Sequence, residues 1–406
     1  MADMRILVVS NLYPPQELGG YGRSLADFVW GLQQRGHRVT VLSSDAPYLG
    51  PSAEGPNGEP VLRQLLLKGS FAGGVTTNPN PAACAAIDQH NSQVVRKQLA
   101  AEGFDGILLG NLDLLGAELL PVLLERGVPV LHHAGFMTLP YAIEHWPRAR
   151  NYQLVAASAA VRQSLYQQGL PVATAPVVYP GARVELFGPE VTGRSLPAAA
   201  GLGTTTNPLK LAFAGLLMGS KGAHTLVQAA CRLHQAGVRV QVNLAGAAFQ
   251  QGYWQRLEAV AAQAGLDGLV RWVGNLERPQ LARFLGLHHA GVFPSIFPEA
   301  FGIVGAEIQA SGLALVSSGV GGAAELLEHG ISGLRFKPND IDDLSQQLLR
   351  LVQEPGLLGQ LQETGRRQVR ARFSVTTAAI QLEELWLNAS AQQASNNAAK
   401  RGSITF

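Results

Sequence analysis

Cysteine is nearly absent from this chain: two residues, Cys84 and Cys231, stand in unrelated segments of a 406-residue sequence. That spacing argues against a disulfide framework or a zinc site and suits a reducing compartment. Charge is also scarce, at 15% of residues with a formal net charge of +2. With no long basic or acidic run, there is no electrostatic footprint for nucleic acid. No run of about 18 uninterrupted apolar residues occurs, which speaks against a spanning helix. The opening MADMRILVVS carries an Asp and only a short apolar run before NLYPPQ, so it reads as a first strand rather than a signal peptide. These absences point to a cytoplasmic protein and leave room for peripheral contact at the inner face of the plasma membrane.

Apolar residues are plentiful at 47%, enough for about two cores at this length. RILVVS, apolar on both faces, is an inner strand of a parallel sheet. A Pro/Gly loop containing Gly19 and Gly20 leads into a helix with Leu25, Phe28, Val29 and Leu32 at i, i+3, i+4, i+7 spacing, closed by Gly36. HRVTVLSS completes a βαβ unit. Residues 45–81 are too dense in Pro, Gly, Asn and Ser, and too long, for an ordinary connection, and read as an acceptor-side loop. Further alternation predicts a helix over 91–102, the strands GILLG, VPVLHHA, QLVAAS and TAPVVYP, and a helix over 160–169.

Periodicity is lost over 183–208, which reads as a linker between a first domain at 1–182 and a second at 209–373. The second repeats the α/β alternation, with helices expected at 225–235, 254–263, 279–288, 302–311 and 323–329. A helix over 374–390 needs a partner surface for Ile380, Leu382, Leu385 and Leu387, and the polar tail 391–406 reads as disordered. The fold class is α/β: two Rossmann-like, doubly wound domains facing a central cleft.

The chemistry concentrates in VFPSIFPEAFGIVGAEIQASG, where a strand, a Pro-marked turn and a helix follow one another. In a parallel sheet such a turn lies at the ligand crevice, and the helix start offers unpaired N–H groups to an anion. Glu299 at the turn and Glu307 inside the helix add acceptors suited to hydroxyls. Both carboxylates come from one short segment, which suits clamping a nucleotide sugar better than flanking a glycosidic bond. Asp340-Ile341-Asp342 reads as a helix cap rather than a metal site, and His288-His289 as the polar end of a helix. GLLMGSKG is not a Walker A loop, since Gly222 stands where Ser or Thr is required.

The chain resembles the retaining glycosyltransferases of family 4, which have the GT-B arrangement. The resemblance rests on E-x7-E at Glu299 and Glu307, on Gly19-Gly20, on the turn containing Lys221, and on GVGGAAELLEHGISGL. It implies that the second domain holds a UDP- or GDP-sugar without metal or other cofactor. Glu307 would take the ribose, the backbone at Val273 and Gly274 the base, Glu299 the sugar hydroxyls, and amides at Phe301, Gly302, Ile303 and Val304, with Lys221, the diphosphate. The first domain would take a sugar, lipid-linked or small-molecule acceptor, with His133 chosen over His132 as its catalytic histidine. A C-terminal helix would return to the first domain. Two departures stand out. Leu216 occupies the place of an arginine usual in relatives, for which Arg23 is a candidate substitute, and no histidine follows the strand GILLG. Leu216 keeps a second reading open, a sugar-nucleotide binder acting in assembly; a nucleotide-sugar epimerase of the same fold is a third.

Overall fold

A computed structural model describes residues 3–188 and 201–402, with the side chains of 396–402 left aside. The chain forms two compact units, Met1–Pro180 with Val375–Phe406, and Gly181–Ser374. The expected linker at 183–208 falls partly outside the described residues, as do the last four residues of the tail.

The first unit contains β1 (Arg5–Ser10), β2 (Arg38–Ser44), β3 (Val61–Leu65), the small pair β4 (Gly69–Ser70) and β5 (Thr76–Thr77), β6 (Gly106–Leu109), β7 (Val130–Ala134) and β8 (Tyr152–Ala156). Six of these form a parallel sheet in the order β3-β2-β1-β6-β7-β8. Ile6, Leu7, Val8 and Val9 of β1 are all fully buried, as the two-sided apolar run requires. The helix Tyr21–Gln34 buries Leu25, Phe28, Val29 and Leu32 against it.

The second unit repeats the plan with β9 (Leu209–Ala214), β10 (Val240–Ala245), β11 (Val270–Trp272), β12 (Ala290–Phe293), β13 (Ala314–Ser317) and β14 (Leu334–Arg335), ordered β11-β10-β9-β12-β13-β14. Strand order reverses at β1/β6 in one sheet and at β9/β12 in the other, so the loops leaving those strands diverge and open a crevice. Ala182 N donates to Phe373 O at 2.7 Å, bringing the entry and exit of the second unit side by side.

Several expected elements are corrected. The helix expected over 91–102 begins ten residues earlier, as Pro81–Ala101, because Asn80 caps it by accepting from Ala82 N and Ala83 N with Pro81 at the first position. TAPVVYP contributes only a bridge at Val177, and the helix expected at 323–329 is a 3-10 turn, Gly322–Leu326. Within 45–81, β3 extends the sheet edge where only a loop was expected.

The last helix, Val375–Gly402, continues through the segment expected to be disordered, since its Ala-rich sequence contains neither Gly nor Pro before Gly402. It packs on Tyr21–Gln34 in the first unit, with Leu382 buried and Leu385 half-buried against the core as expected. Val375, Ala378, Ala379, Leu382 and Trp386 are buried, while Leu387 is exposed. Gly31 decides this: a Cβ there would stand 2.9 Å from Ala379 Cβ, so only a glycine admits the small-residue face so closely. Arg35 binds Glu383 at the same seam, and His37 Nε2 lies 3.6 Å from that carboxylate. Among the described residues no helix is long and apolar enough to cross a membrane.

Trp386 is 1% exposed and fills the space above Gly106. Trp386→Ala is expected to lower the unfolding free energy by about 3–5 kcal/mol, measured by urea denaturation. A loss below about 1 kcal/mol would show that the returning helix is not part of this core.

Candidate functional site

Three loops at the C-terminal ends of β9, β12 and β13 build the site in the second unit. Gly222 takes a left-handed conformation (φ +74°) where a Cβ would collide with Pro294 O. Its absence lets the 3-10 turn Gly219–Lys221 lie against the end of β12, where Ile296 N donates to Ser220 O at 2.9 Å. Lys221 Nζ thereby reaches Glu299 Oε1 at 2.7 Å and sits 5.0 Å over the Phe297 ring. Ser295 Oγ donates to the same carboxylate oxygen at 2.7 Å. The Glu299 backbone is fixed as well: its N donates to Val320 O at 3.3 Å, and its O accepts from Gly322 N at 2.7 Å. Gly321 (φ +66°) permits that approach, because a Cβ would stand 2.5 Å from Glu299 O.

Gly302 (φ +95°) turns the chain into the helix Ile303–Ala310. Ile303 and Val304 are half-buried at its start, where helix geometry leaves the first amides without intrahelical acceptors. Phe301 is buried against Phe373, ring centroids 5.6 Å apart, and anchors the turn. Glu307, one turn into the helix, is 1% exposed and lies 3.4 Å from Arg278 Nη2.

Arg278 opens the helix Arg278–Leu285, whose capping box joins Glu277 and Gln280. This cation was missed from sequence. The pattern E-R-P-Q directly after a strand marks a helix start and is the signal that would have found it. Val273 is 45% exposed at the end of β11, and Gly274 (φ +82°) accepts from Gly246 N at 2.8 Å. Leu216 is half-buried, and its neighbour Leu217 donates its N–H to Ala247 O, so this loop runs as a strand-like extension.

In the first unit, Gly19 (φ +72°) and Gly20 are exposed at the start of Tyr21–Gln34. The 45–81 excursion braces their loop. Arg63 donates to Tyr13 O and Pro14 O at 3.0 Å each and to Gln16 Oε1 at 3.1 Å, and buried Glu59 accepts from Tyr13 Oη. Arg23 pairs with Glu17 of the same loop at 3.3 Å.

His133 and His132 are both buried, each 1% exposed. Neighbours on both sides, β6 and β8, and cover on both faces leave β7 no solvent side. His133 Nε2 donates to Val178 O at 3.0 Å, its Nδ1 makes no hydrogen bond, and the Phe28 ring packs edge-on at 4.9 Å. Burial pushes its pKa down to about 4, while the Val178 bond resists. His132 Nδ1 lies 2.8 Å from Tyr152 Oη, and burial, with His133 beside it, pushes its pKa down to about 3. His133 nevertheless lines a small cavity with Tyr21, Gly110 and Gly135.

His288 and His289 are buried rather than the polar end of a helix: His288 bridges Phe284 O and Asn243, and His289 Nδ1 accepts from Lys210 N. Asp340 accepts from Asp343 N at 2.9 Å and caps a helix. Among the described residues no group of three or more His, Cys, Asp or Glu is arranged to hold a metal.

Residues 199–368 match the family model for glycosyl transferases group 1. The chain is 27% identical to glycogen synthase of Mycobacterium tuberculosis over 416 residues, covering 95% of both proteins. It is 29% identical to D-inositol 3-phosphate glycosyltransferase of Kribbella flavida over 194 residues, 46% of this chain and 45% of that protein. These matches support a GT-B glycosyltransferase. Two solved structures share the fold: a glycosyltransferase from Rickettsia africae (TM-score 0.75, 18% identity, 96% of this chain and 99% of that one) and Anabaena Alr3699/HepE in complex with UDP and glucose (0.70, 20%, 95% and 100%).

The buried histidine gives the stability of this chain a pH signature. His133 titrates near 4 when folded and near 6.5 when unfolded, so the unfolded chain takes the proton first as pH falls. The stabilisation is complete above the unfolded value and is lost on descent to the folded one, about 3 kcal/mol over the full window. His133→Gln keeps a donor for Val178 O without titrating. Urea unfolding at pH 7 and pH 4.5 should show the variant losing less stability on acidification than the parent. Equal losses would show that His133 titrates normally in the fold.

Proposed function

We propose that the chain is a retaining glycosyltransferase of family 4 that moves a sugar from a UDP- or GDP-sugar to an acceptor hydroxyl without a metal. One observation carries this reading: within a single unit, Glu299 and Lys221 meet beside the free start of the helix Ile303–Ala310, while Glu307 sits one turn inside with Arg278. Glu299 takes the hydroxyls of the transferred sugar, and Glu307 the ribose. The backbone at Val273 and Gly274 faces the base.

The amides at 301–304 and Lys221 receive the diphosphate, whose charge grows as the bond to the anomeric carbon breaks. In the ligand-free protein Lys221 rests on Glu299; on donor binding the phosphate takes the ammonium, and the sugar takes the carboxylate. The acceptor oxygen then bonds to the anomeric carbon on the face the phosphate leaves, and its proton passes to a phosphate oxygen. Oxyanion stabilisation of this kind is worth about 3–4 kcal/mol per good donor, which backbone amides supply without reorganisation.

His133 keeps its proposed place on the acceptor side: its Nε2 is held by Val178 O, and burial keeps the ring neutral. Arg278 supplies a cation beside Glu307 in a chain that has Leu216 where relatives carry arginine. The reaction fits polysaccharide or glycolipid synthesis in the cytoplasm. Leu216 also motivates a second reading, a sugar-nucleotide binder without turnover, and product formation separates the two.

A thermal-shift panel of UDP-, GDP- and ADP-sugars should raise the melting temperature for one base, and Glu307→Ala should abolish the response. With the donor so identified, proton NMR of the product should show retained anomeric configuration, and turnover should persist in EDTA. An inverted product, or activity that needs added metal, would sink the corresponding part of this assignment.

A further inference from the structure

A second cavity, of about 420 Å³, lies wholly within the first unit, where the excursion meets the loops leaving β6 and β7. Its polar lining includes Lys68, Asn78, Asp113, Glu118 and His145. Lys68 is the only lysine or arginine among the lining residues, and its charge is already matched twice. Its Nζ lies 2.6 Å from Asp88 Oδ1 and 2.9 Å from Glu118 Oε2. Burial opposes the ammonium, but the bonds and charges of Asp88 and Glu118 hold the Lys68 pKa above its ordinary value. Partial burial pushes the Glu118 carboxyl up, yet Lys68, the Glu118 backbone and His145 hold it below its usual range. Both members of the pair are therefore charged near neutral pH, and Asp113 adds an exposed carboxylate held by Asn111 Nδ2 at 3.0 Å.

Leu112, Leu114 and Pro140 form the apolar part of the wall. Leu114 adopts a left-handed conformation (φ +63°), rare for a bulky residue, and its carbonyl accepts from Lys68 N at 2.7 Å. That bond ties the excursion to the loop after β6 and fixes the shape of the wall.

We propose that this cavity binds the acceptor as an uncharged polyhydroxyl compound, one or two sugar rings in size, and discriminates against phosphorylated ones. The proposal rests on the transferase reading above. Carboxylates at Asp113 and Glu118 accept from ring hydroxyls, and the apolar wall takes the C–H face. A phosphate would meet these carboxylates beside a lysine that is already paired, with His145 the one other basic side chain in the lining, and like charge disfavours it.

Saturation-transfer NMR on the full chain with UDP present tests this. Glucose, maltose and myo-inositol are set against glucose 6-phosphate and myo-inositol 1-phosphate. At least one neutral compound should receive saturation, and the phosphates little. Glu118→Gln and Asp113→Asn should each weaken the neutral compound by about tenfold, the loss of one charge-assisted hydrogen bond. Asp113 is exposed, so its variant should keep the parental melting temperature and serve if Glu118→Gln destabilises the fold. Saturation of the phosphates equal to that of the neutral compounds, no saturation of any neutral compound, or binding unchanged in both variants would overturn the proposal. The donor reading fails separately, through absence of any nucleotide-sugar thermal shift in the parent; neutral binding that falls in the two variants would still support a polyol site.

Discussion

The site in the second unit depends on one steric concession, the missing Cβ at Gly222. Lys221 and Glu299 are 78 positions apart, and strand pairing of β9 with β12 only brings their loops to the same edge. Contact between the ammonium and the carboxylate requires the 3-10 turn to lie directly on Pro294, and any side chain at 222 would hold it off. The resulting ion pair is partly exposed, with 24% and 11% of the two side chains accessible. Such a pair contributes at most about 1 kcal/mol. It is therefore suited to holding both groups in position and weak enough for a competing diphosphate to separate them. Ser295 makes the exchange practicable, because it continues to hold the same oxygen of Glu299 when the lysine leaves.

The parts of the fold legible in the sequence are those governed by local periodicity. Two-sided apolar strands, amphipathic helices and the glycines that end them identify both sheets, and the spacing of Glu299 and Glu307 marks the loop on which the proposed site rests. What the sequence concealed is held by contacts distant in the chain. Arg278 reaches Glu307 across 29 positions, and Ser295 matters only because Gly321 and Gly322 clamp the turn that it supports. Even there a local trace existed, in the capping box that starts the Arg278 helix.

The excursion at 45–81 and the returning helix are misread for a related reason. Composition marked the first as loop and the tail of the second as disordered, since Pro, Gly, Asn and Gln depress local propensity estimates. Tertiary bonds override that weak preference. Arg63 satisfies three acceptors of the first loop at once, and buried Glu59 takes the Tyr13 hydroxyl, so the excursion is fixed by what it holds. In the returning helix, Leu387 looked like a core position by type and Ala379 did not. The reverse holds because Gly31 on the facing helix leaves room for a methyl group and no more.

The two crevices differ in what surrounds their paired side-chain charges, and this bears on which ligand each can hold. In the second unit Lys221 is paired with Glu299 and Arg278 with Glu307, and the start of the helix Ile303–Ala310 adds the positive end of its dipole. In the first, Asp113 and Glu118 face a cavity whose single lysine is already compensated, and burial keeps His132 and His133 uncharged at neutral pH. These two stay neutral until well below the physiological range, while His145 is the histidine in the cavity lining itself. On the proposed reading, a nucleoside diphosphate is favoured at the helix start of the second unit and a neutral hydroxyl-bearing compound in the first-unit cavity. Such sorting would follow from side chains that stabilise their own units whether or not a ligand is bound.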